Sequence, residues 1–201
     1  MQFPCISLYN FHIGNINESQ WLYLGTFSIS GILMTQTINK TRVKHIHRTA
    51  DLGWYLRDYR RGQASTISNT SRFATLGERF ISEIERGKET AFFDKALQYI
   101  NLLGLSLHIY PRNVLNIQSP YGTFTDLKAI GALARHHRKS QKATLETVKE
   151  LSDLSLRFLS EFERGKNCQI GKALSALRHY GLEVAIAPRN YRLSKGDLLN
   201  V

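Results

Sequence analysis

The sequence predicts a mainly α-helical protein made of two copies of one helical unit, each closed by a β-strand. Three observations carry that expectation. The decapeptide Arg79–Lys88, RFISEIERGK, returns at Arg157–Lys166 as RFLSEFERGK, with eight of ten residues identical. Apolar residues recur at helical spacing through most of both copies. Residues 105–110 and 182–187, near the end of each copy, instead alternate apolar and polar with the period of a strand.

The repeat extends beyond the decapeptide. At an offset of 78, Gly53, Arg57, Arg60 and Arg61 meet Gly131, Arg135, Arg138 and Lys139, while Gln63, Thr66 and Leu76 meet Gln141, Thr144 and Leu154. After the decapeptide the offset becomes 77. Ala96, Leu97 and Gly104 then meet Ala173, Leu174 and Gly181, and the PRN at 111–113 meets the PRN at 188–190. The expected organisation is an extension at 1–45, a first unit at 46–113, a linker at 114–125, a second unit at 126–190 and a tail at 191–201.

Within each unit the elements follow in order. LGWYLRDYRRG is a first helix with Leu52, Tyr55, Leu56 and Tyr59 along one side. Thr66 and Thr144 cap a second helix, whose apolar residues in copy two are Leu145, Val148 and Leu151. The decapeptide is a third helix with Phe80, Ile81 and Ile84, or Phe158, Leu159 and Phe162, turned to the core. Gly87 and Gly165 stop it in the left-handed conformation that glycine adopts at little cost. Phe93, Ala96, Leu97, Ile100 and Leu103 mark a fourth helix. A lone strand after four helices leaves its backbone groups without partners. Strands 105–110 and 182–187 are therefore expected to pair, within one chain about a pseudo-twofold axis or between two chains.

Charge narrows the function classes. Lys and Arg number 27 against 16 Asp and Glu, a net of +11, which favours an anionic partner such as nucleic acid. Cys5 and Cys168 stand far apart and suit a reducing, cytoplasmic setting. The most apolar run, Trp21 to Met34, is shorter than a membrane span and lacks the marks of a signal peptide. Residues 1–34 carry a single formal charge, Glu18, and Met34 is an alternative natural start. No Ser/His/Asp arrangement, paired acids, phosphate-cradling Gly-Lys loop or Cys/His cluster occurs, so neither an enzyme, a metal nor a cofactor is expected. His136 and His137 are expected at the surface, and His45 and His47 lie in a basic approach, KTRVKHIHR, that touches DNA backbone or is solvated.

Two short helices joined by a tight turn in a small basic unit suggest a helix-turn-helix. The stretch TLETVKELSDLSLRFLSEFERGK at 144–166 closely resembles the Cro/cI-type (XRE) family of helix-turn-helix regulators. The following GLEVAIAPR resembles the dimerising strand of HipB-type antitoxins within it. The resemblance covers 50–113 and 126–190 and is tighter in the second copy. It implies two tandem lambda-repressor-like units binding double-stranded DNA, acting as a pseudo-dimer in one chain or as a homodimer. It implies also an antitoxin that represses its own operon, with a HipA-like kinase toxin as partner.

Carried over residue by residue, base reading falls to Glu78, Arg79, Ser82 and Glu83 in copy one. In copy two it falls to Ser155, Leu156, Arg157, Ser160 and Glu161. Arginine suits this best, because its planar fork bonds two acceptors of guanine. Phosphate contacts fall to Arg61, Lys88, Lys139, Lys142 and Lys166, and the family pattern pairs Arg60 with Glu85 and Arg138 with Glu163 internally. The glutamine usual near the start of the second helix is replaced by Ile67 and Leu145. Glu78 stands opposite Leu156, so the two half-sites are expected to differ and the operator to be an imperfect palindrome. Copy one (50–113) nets +2 and copy two (126–190) nets +5, which assigns more of the affinity to copy two. Two rival readings remain: a toxin-neutralising interaction module with little DNA binding, and a stand-alone phage-type repressor.

Overall fold

The computed structural model describes residues 43–112, 121–194 and 196–197. Twelve elements run through them: β1 (Lys44–His45), α1 (Thr49–Gly62), α2 (Ile67–Ala74), α3 (Glu78–Glu85), α4 (Phe93–Leu102) and β2 (Leu105–Pro111), then β3 (Gly122–Phe124), α5 (Leu127–Ser140), α6 (Leu145–Glu150), α7 (Leu156–Glu163), α8 (Ile170–His179) and β4 (Leu182–Pro188). The fold is thus mostly helical with one small antiparallel sheet.

Local chemistry sets the helix ends. Thr66 Oγ1 accepts from Asn69 N and Thr144 Oγ1 from Thr147 N, each at 3.1 Å, opening α2 and α6. Asp126 Oδ1 accepts from Ala129 N at 2.8 Å and starts α5. After α3 and α7 the chain turns at Gly87 (φ 80°) and Gly165 (φ 72°). Both glycines also lie against helix starts, where a Cβ would overlap Ala50 or Lys128 backbone, so space and conformation exclude any other residue. Close approach recurs between α1 and α3, where a Cβ at Gly53 would meet Ile84 O at 2.5 Å. At Gly131 it would overlap Phe162 O, between α5 and α7.

The first-helix stripe holds, with Leu52, Tyr55 and Leu56 buried and Tyr59 packed beside them. So does the fourth-helix stripe, with Phe93, Ala96, Leu97, Ile100 and Leu103 all buried. Leu151 departs from expectation. It is the residue that ends α6, and it stands 66% exposed while Val148 is buried.

The sheet has the order β1-β4-β2-β3. At its centre β2 and β4 run antiparallel, from Leu105 opposite Pro188 to Pro111 opposite Leu182. The middle pair is His108 with Ala185, and 185 − 108 = 77, the repeat offset. The isolated bridge between Phe92 and Gln169 has the same offset, 169 − 92 = 77. Both pairs join a position to its own counterpart, so a pseudo-twofold axis passes through them.

The outer strands were not expected. His45 of β1 faces Ala185, and Thr123 of β3 faces His108; 123 − 45 = 78, the offset of the first half of the repeat. Lys44–His45, in the expected extension, pairs with β4, and Gly122–Phe124, in the expected linker, pairs with β2. At the repeat offset the two short strands are counterparts in sequence, and each lies on the long strand from the other half of the sequence repeat. Strands of two and three residues are too short to show an alternating pattern, which is why composition alone hid them.

Part of the expected tail also packs. Tyr191 and Leu193 lie with Val43, Tyr110, Ala185 and Ala187 in a second, smaller apolar cluster. Asp197 accepts hydrogen bonds from Ser194 N, Ser194 Oγ and Tyr191 Oη. The rest of the extension, including Met34, and positions 113–120 lie outside the described residues.

Candidate nucleic-acid interface

The exposed faces of α3 and α7 present the charged groups of the repeated decapeptide. Ile81 and Ile84, like Leu159 and Phe162, are buried, and Phe80 and Phe158 pack at the margin. Helical periodicity then turns Arg79, Ser82 and Glu83 outward on α3, and Arg157, Ser160 and Glu161 outward on α7, with Arg86 and Arg164 exposed at the residue that ends each helix. Ser155 Oγ caps α7 by accepting from Phe158 N at 3.2 Å, whereas Gly77 offers α3 no side-chain cap. Glu78 is exposed at the start of α3, and Leu156 is half-buried at the start of α7.

Each helix carries an ionic cluster on that face. Arg79 Nε donates to Glu83 Oε1 at 3.1 Å and Lys88 Nζ to Glu83 Oε2 at 2.7 Å. In the other copy Arg157 Nε lies 3.5 Å and Lys166 Nζ 3.2 Å from the same oxygen, Glu161 Oε1. Hydrogen bonds from Lys88 and then Arg79 hold the Glu83 carboxyl below its usual range, and Lys166 foremost does the same for Glu161. Arg61 is exposed near the end of α1, as is Lys139 near the end of α5. Lys142 sits in the turn after α5 with φ 54°, matching Ala64 at φ 52° after α1.

Beneath this surface α3 and α7 are each pinned by an ion pair, buried for Arg60 with Glu85 and part-buried for Arg138 with Glu163. Arg60 donates from Nε to Glu85 Oε1 at 2.6 Å and from Nη2 to Oε2 at 2.8 Å, and its Nη1 reaches Ser65 O at 2.6 Å. Arg138 makes the same fork to Glu163, at 2.6 and 2.8 Å, and its Nη1 reaches Ala143 O. One guanidinium therefore ties the end of the first helix, the turn before the second and the end of the third. The bond to glutamate is the main reason both arginines are held more firmly in their charged form. Leaving one partner unpaired in such a site costs about 3–5 kcal/mol.

Sequence reasoning missed a third member of each network. Tyr99 Oη donates to Glu85 Oε1 at 2.5 Å, and Tyr180 Oη to Glu163 Oε1 at 2.8 Å. At the offset of 77 the counterpart of Tyr99 is Ala176, and that of Tyr180 is Leu103. The two phenols reach equivalent carboxylates from different turns of the fourth helix. Repeat alignment could not flag them because they do not align. Burial, then the carboxylate, pushes both phenols well above their usual range.

Two histidine expectations are corrected. His137 is buried, with Nδ1 at 2.7 Å from Tyr121 Oη, because it follows the inward stripe of α5 while His136 faces out. His45 is part of the sheet, with Nδ1 at 2.7 Å from Tyr110 Oη and Nε2 at 2.8 Å from Asp197 O, so it is no free arm for DNA. His47 is exposed, 4.0 Å from Glu183.

The geometry defines a basic, mostly helical protein with two short amphipathic helices presenting matched arginines. Residues of the chain are 38% identical over a 66-residue stretch to the uncharacterized HTH-type transcriptional regulator y4mF of Sinorhizobium fredii. That stretch is 33% of this chain and 87% of the relative. The chain belongs to the HTH-type, or helix-turn-helix-type, transcriptional regulators. No family model matches the chain, and no solved structure matches it. Among the described residues, no helix is long and apolar enough to cross a membrane.

Proposed function

We propose that the chain is a sequence-specific repressor that grips double-stranded DNA with two lambda-repressor-like helix-turn-helix units of the Cro/cI (XRE) type, arranged in tandem. One observation carries this reading. Arg79 and Arg157 occupy the same position on α3 and α7, with side chains 90% and 87% exposed, on helices pinned by the same fork. The sheet register supports it by relating the two helices through the axis at His108 and Ala185. So does the relative, most of which is accounted for by 66 residues, about one copy of the repeat.

In this reading α3 and α7 enter successive major grooves, about 34–36 Å apart. Of the base-reading candidates, Glu78, Arg79 and Ser82 on one side and Ser155, Leu156, Arg157 and Ser160 on the other contact bases, while Glu83 and Glu161 bond to Arg79 and Arg157 of their own helices. Arg61, Lys88, Lys139, Lys142 and Lys166 contact phosphates. Glu78 against Leu156 makes the operator an imperfect palindrome.

The resemblance to HipB-type antitoxins supports a cellular role as cytoplasmic autorepressor of a toxin–antitoxin operon, with a HipA-like kinase bound as toxin. A gel shift on the DNA upstream of its own reading frame tests the core of the proposal. A shift that weakens steeply between about 50 and 200 mM salt is expected. Co-purification of a kinase without any shift would leave the interaction-module reading standing instead.

A further inference from the structure

Glu83 and Glu161 occupy positions at which a carboxylate would accept a hydrogen bond from a cytosine amine. The distances suggest a different use. In copy one both carboxylate oxygens are engaged, Oε1 by Arg79 and Oε2 by Lys88. Arg79 gives only its Nε to this bond. Its Nη1 and Nη2 carry no hydrogen bond among the described residues, and the side chain is 90% exposed.

That division has a chemical meaning. An arginine reading guanine end-on uses its two terminal nitrogens for O6 and N7. A carboxylate on Nε fixes the plane of the fork without occupying the atoms that do the reading. It also removes side-chain freedom before binding, and lost freedom is a principal cost of association.

Copy two has the same three residues in a looser arrangement. Arg157 and Lys166 share one oxygen of Glu161, at 3.5 and 3.2 Å, and Oε2 has no hydrogen-bond partner among the described residues. Charge runs the other way, with +2 in copy one and +5 in copy two.

We infer that Glu83 is a positioning residue that pre-sets Arg79 for guanine, so that copy one supplies more of the sequence discrimination and copy two more of the sequence-independent grip. The inference rests on the DNA-binding reading above.

The test uses the full chain and a duplex selected by that chain from a randomised pool, with a scrambled duplex as reference. Glu83→Ala and Glu161→Ala are compared by the ratio of the two affinities, with circular dichroism confirming the fold. Glu83→Ala is expected to lower the ratio about fivefold, chiefly by weakening the selected duplex, while binding to the scrambled duplex holds or rises because a negative charge is gone. Glu83→Gln, which can still accept from Nε, recovers part of the ratio. Glu161→Ala changes it less. An unchanged ratio for Glu83→Ala, or a larger fall for Glu161→Ala, overturns the inference. Failure of the wild-type chain to enrich any duplex overturns the DNA-binding reading itself, and the inference with it.

Discussion

His108 faces Ala185 across the middle of the sheet, and the two are one position of the repeat seen twice. Everything in the sheet is arranged around that pair. β1 lies on β4 and β3 on β2, and Phe93 N donates to Cys168 O while Ile170 N donates to Ala91 O, both at 2.9 Å. A segment holding residues 43–112 alone would expose the apolar side of β2 and leave β1 without a partner. It is expected to yield no folded monomer. Sedimentation and thermal melting of that segment check this, and a cooperative monomeric transition would count against it.

The forks tie α1 to α3 and α5 to α7. Glu85→Ala leaves Arg60 charged and unpaired inside the protein, and a loss of about 3–5 kcal/mol is expected in chemical denaturation. Tyr99→Phe removes one bond and leaves the ion pair intact, so its cost should be about 1–2 kcal/mol. Similar costs for the two variants would show that the arginine is not the anchor.

Caps differ between α3 and α7 in a way that can be exchanged. Ser155→Ala removes a side-chain cap and should cost about 1 kcal/mol. Gly77 has φ −63° and ψ 144°, and nothing lies within 4 Å of a Cβ added there. Gly77→Ser should therefore stabilise the chain by a few tenths of a kcal/mol, since glycine is already a tolerable cap. Melting temperatures of the two variants read both effects.

Acid should destabilise the protein through its buried imidazoles. Burial lowers the pKa of His108, and burial together with the nearby His136 lowers that of His137. A base with a depressed folded pKa favours folding fully above the unfolded value of about 6.5, and that contribution is lost as pH falls from there through the folded pKa. The melting temperature is expected to drop between about pH 7 and pH 5. His137→Gln should flatten part of that dependence, and an unaltered profile would exclude His137 as a source.

Phosphate contacts can be counted by salt. If Lys139 and Lys142 each neutralise one phosphate, the double alanine variant should reduce the slope of log affinity against log salt by about 1.8, and Arg61→Ala by about 0.9. Equal slopes for all three proteins would remove these residues from the footprint.

The parts of the fold legible in the sequence were those with enough residues to show a period. The apolar stripes of α1, α4 and the decapeptide and the two long strands all rest on patterns of six residues or more, and the threonine caps on a residue type favoured at helix starts. β1 and β3 rest on two and three residues, and their partners lie far along the chain, so only tertiary structure shows them. The candidate interface was legible to the extent that it repeats. Tyr99 and Tyr180 serve equivalent carboxylates from unaligned positions, and His137 is buried by a helical phase that its neighbour His136 made ambiguous.

The proposed repressor function has a consequence for dosage. A repressor assembled from separate subunits must dimerise before it binds, so its occupancy at low abundance follows roughly the square of its concentration. If the chain binds DNA as proposed, with both units on one polypeptide, the second half arrives at an effective concentration set by the connection rather than by expression. Occupancy of an operator by such a chain would rise in simple proportion to the number of molecules, with no assembly threshold. A cell holding only a few copies could still keep the promoter shut.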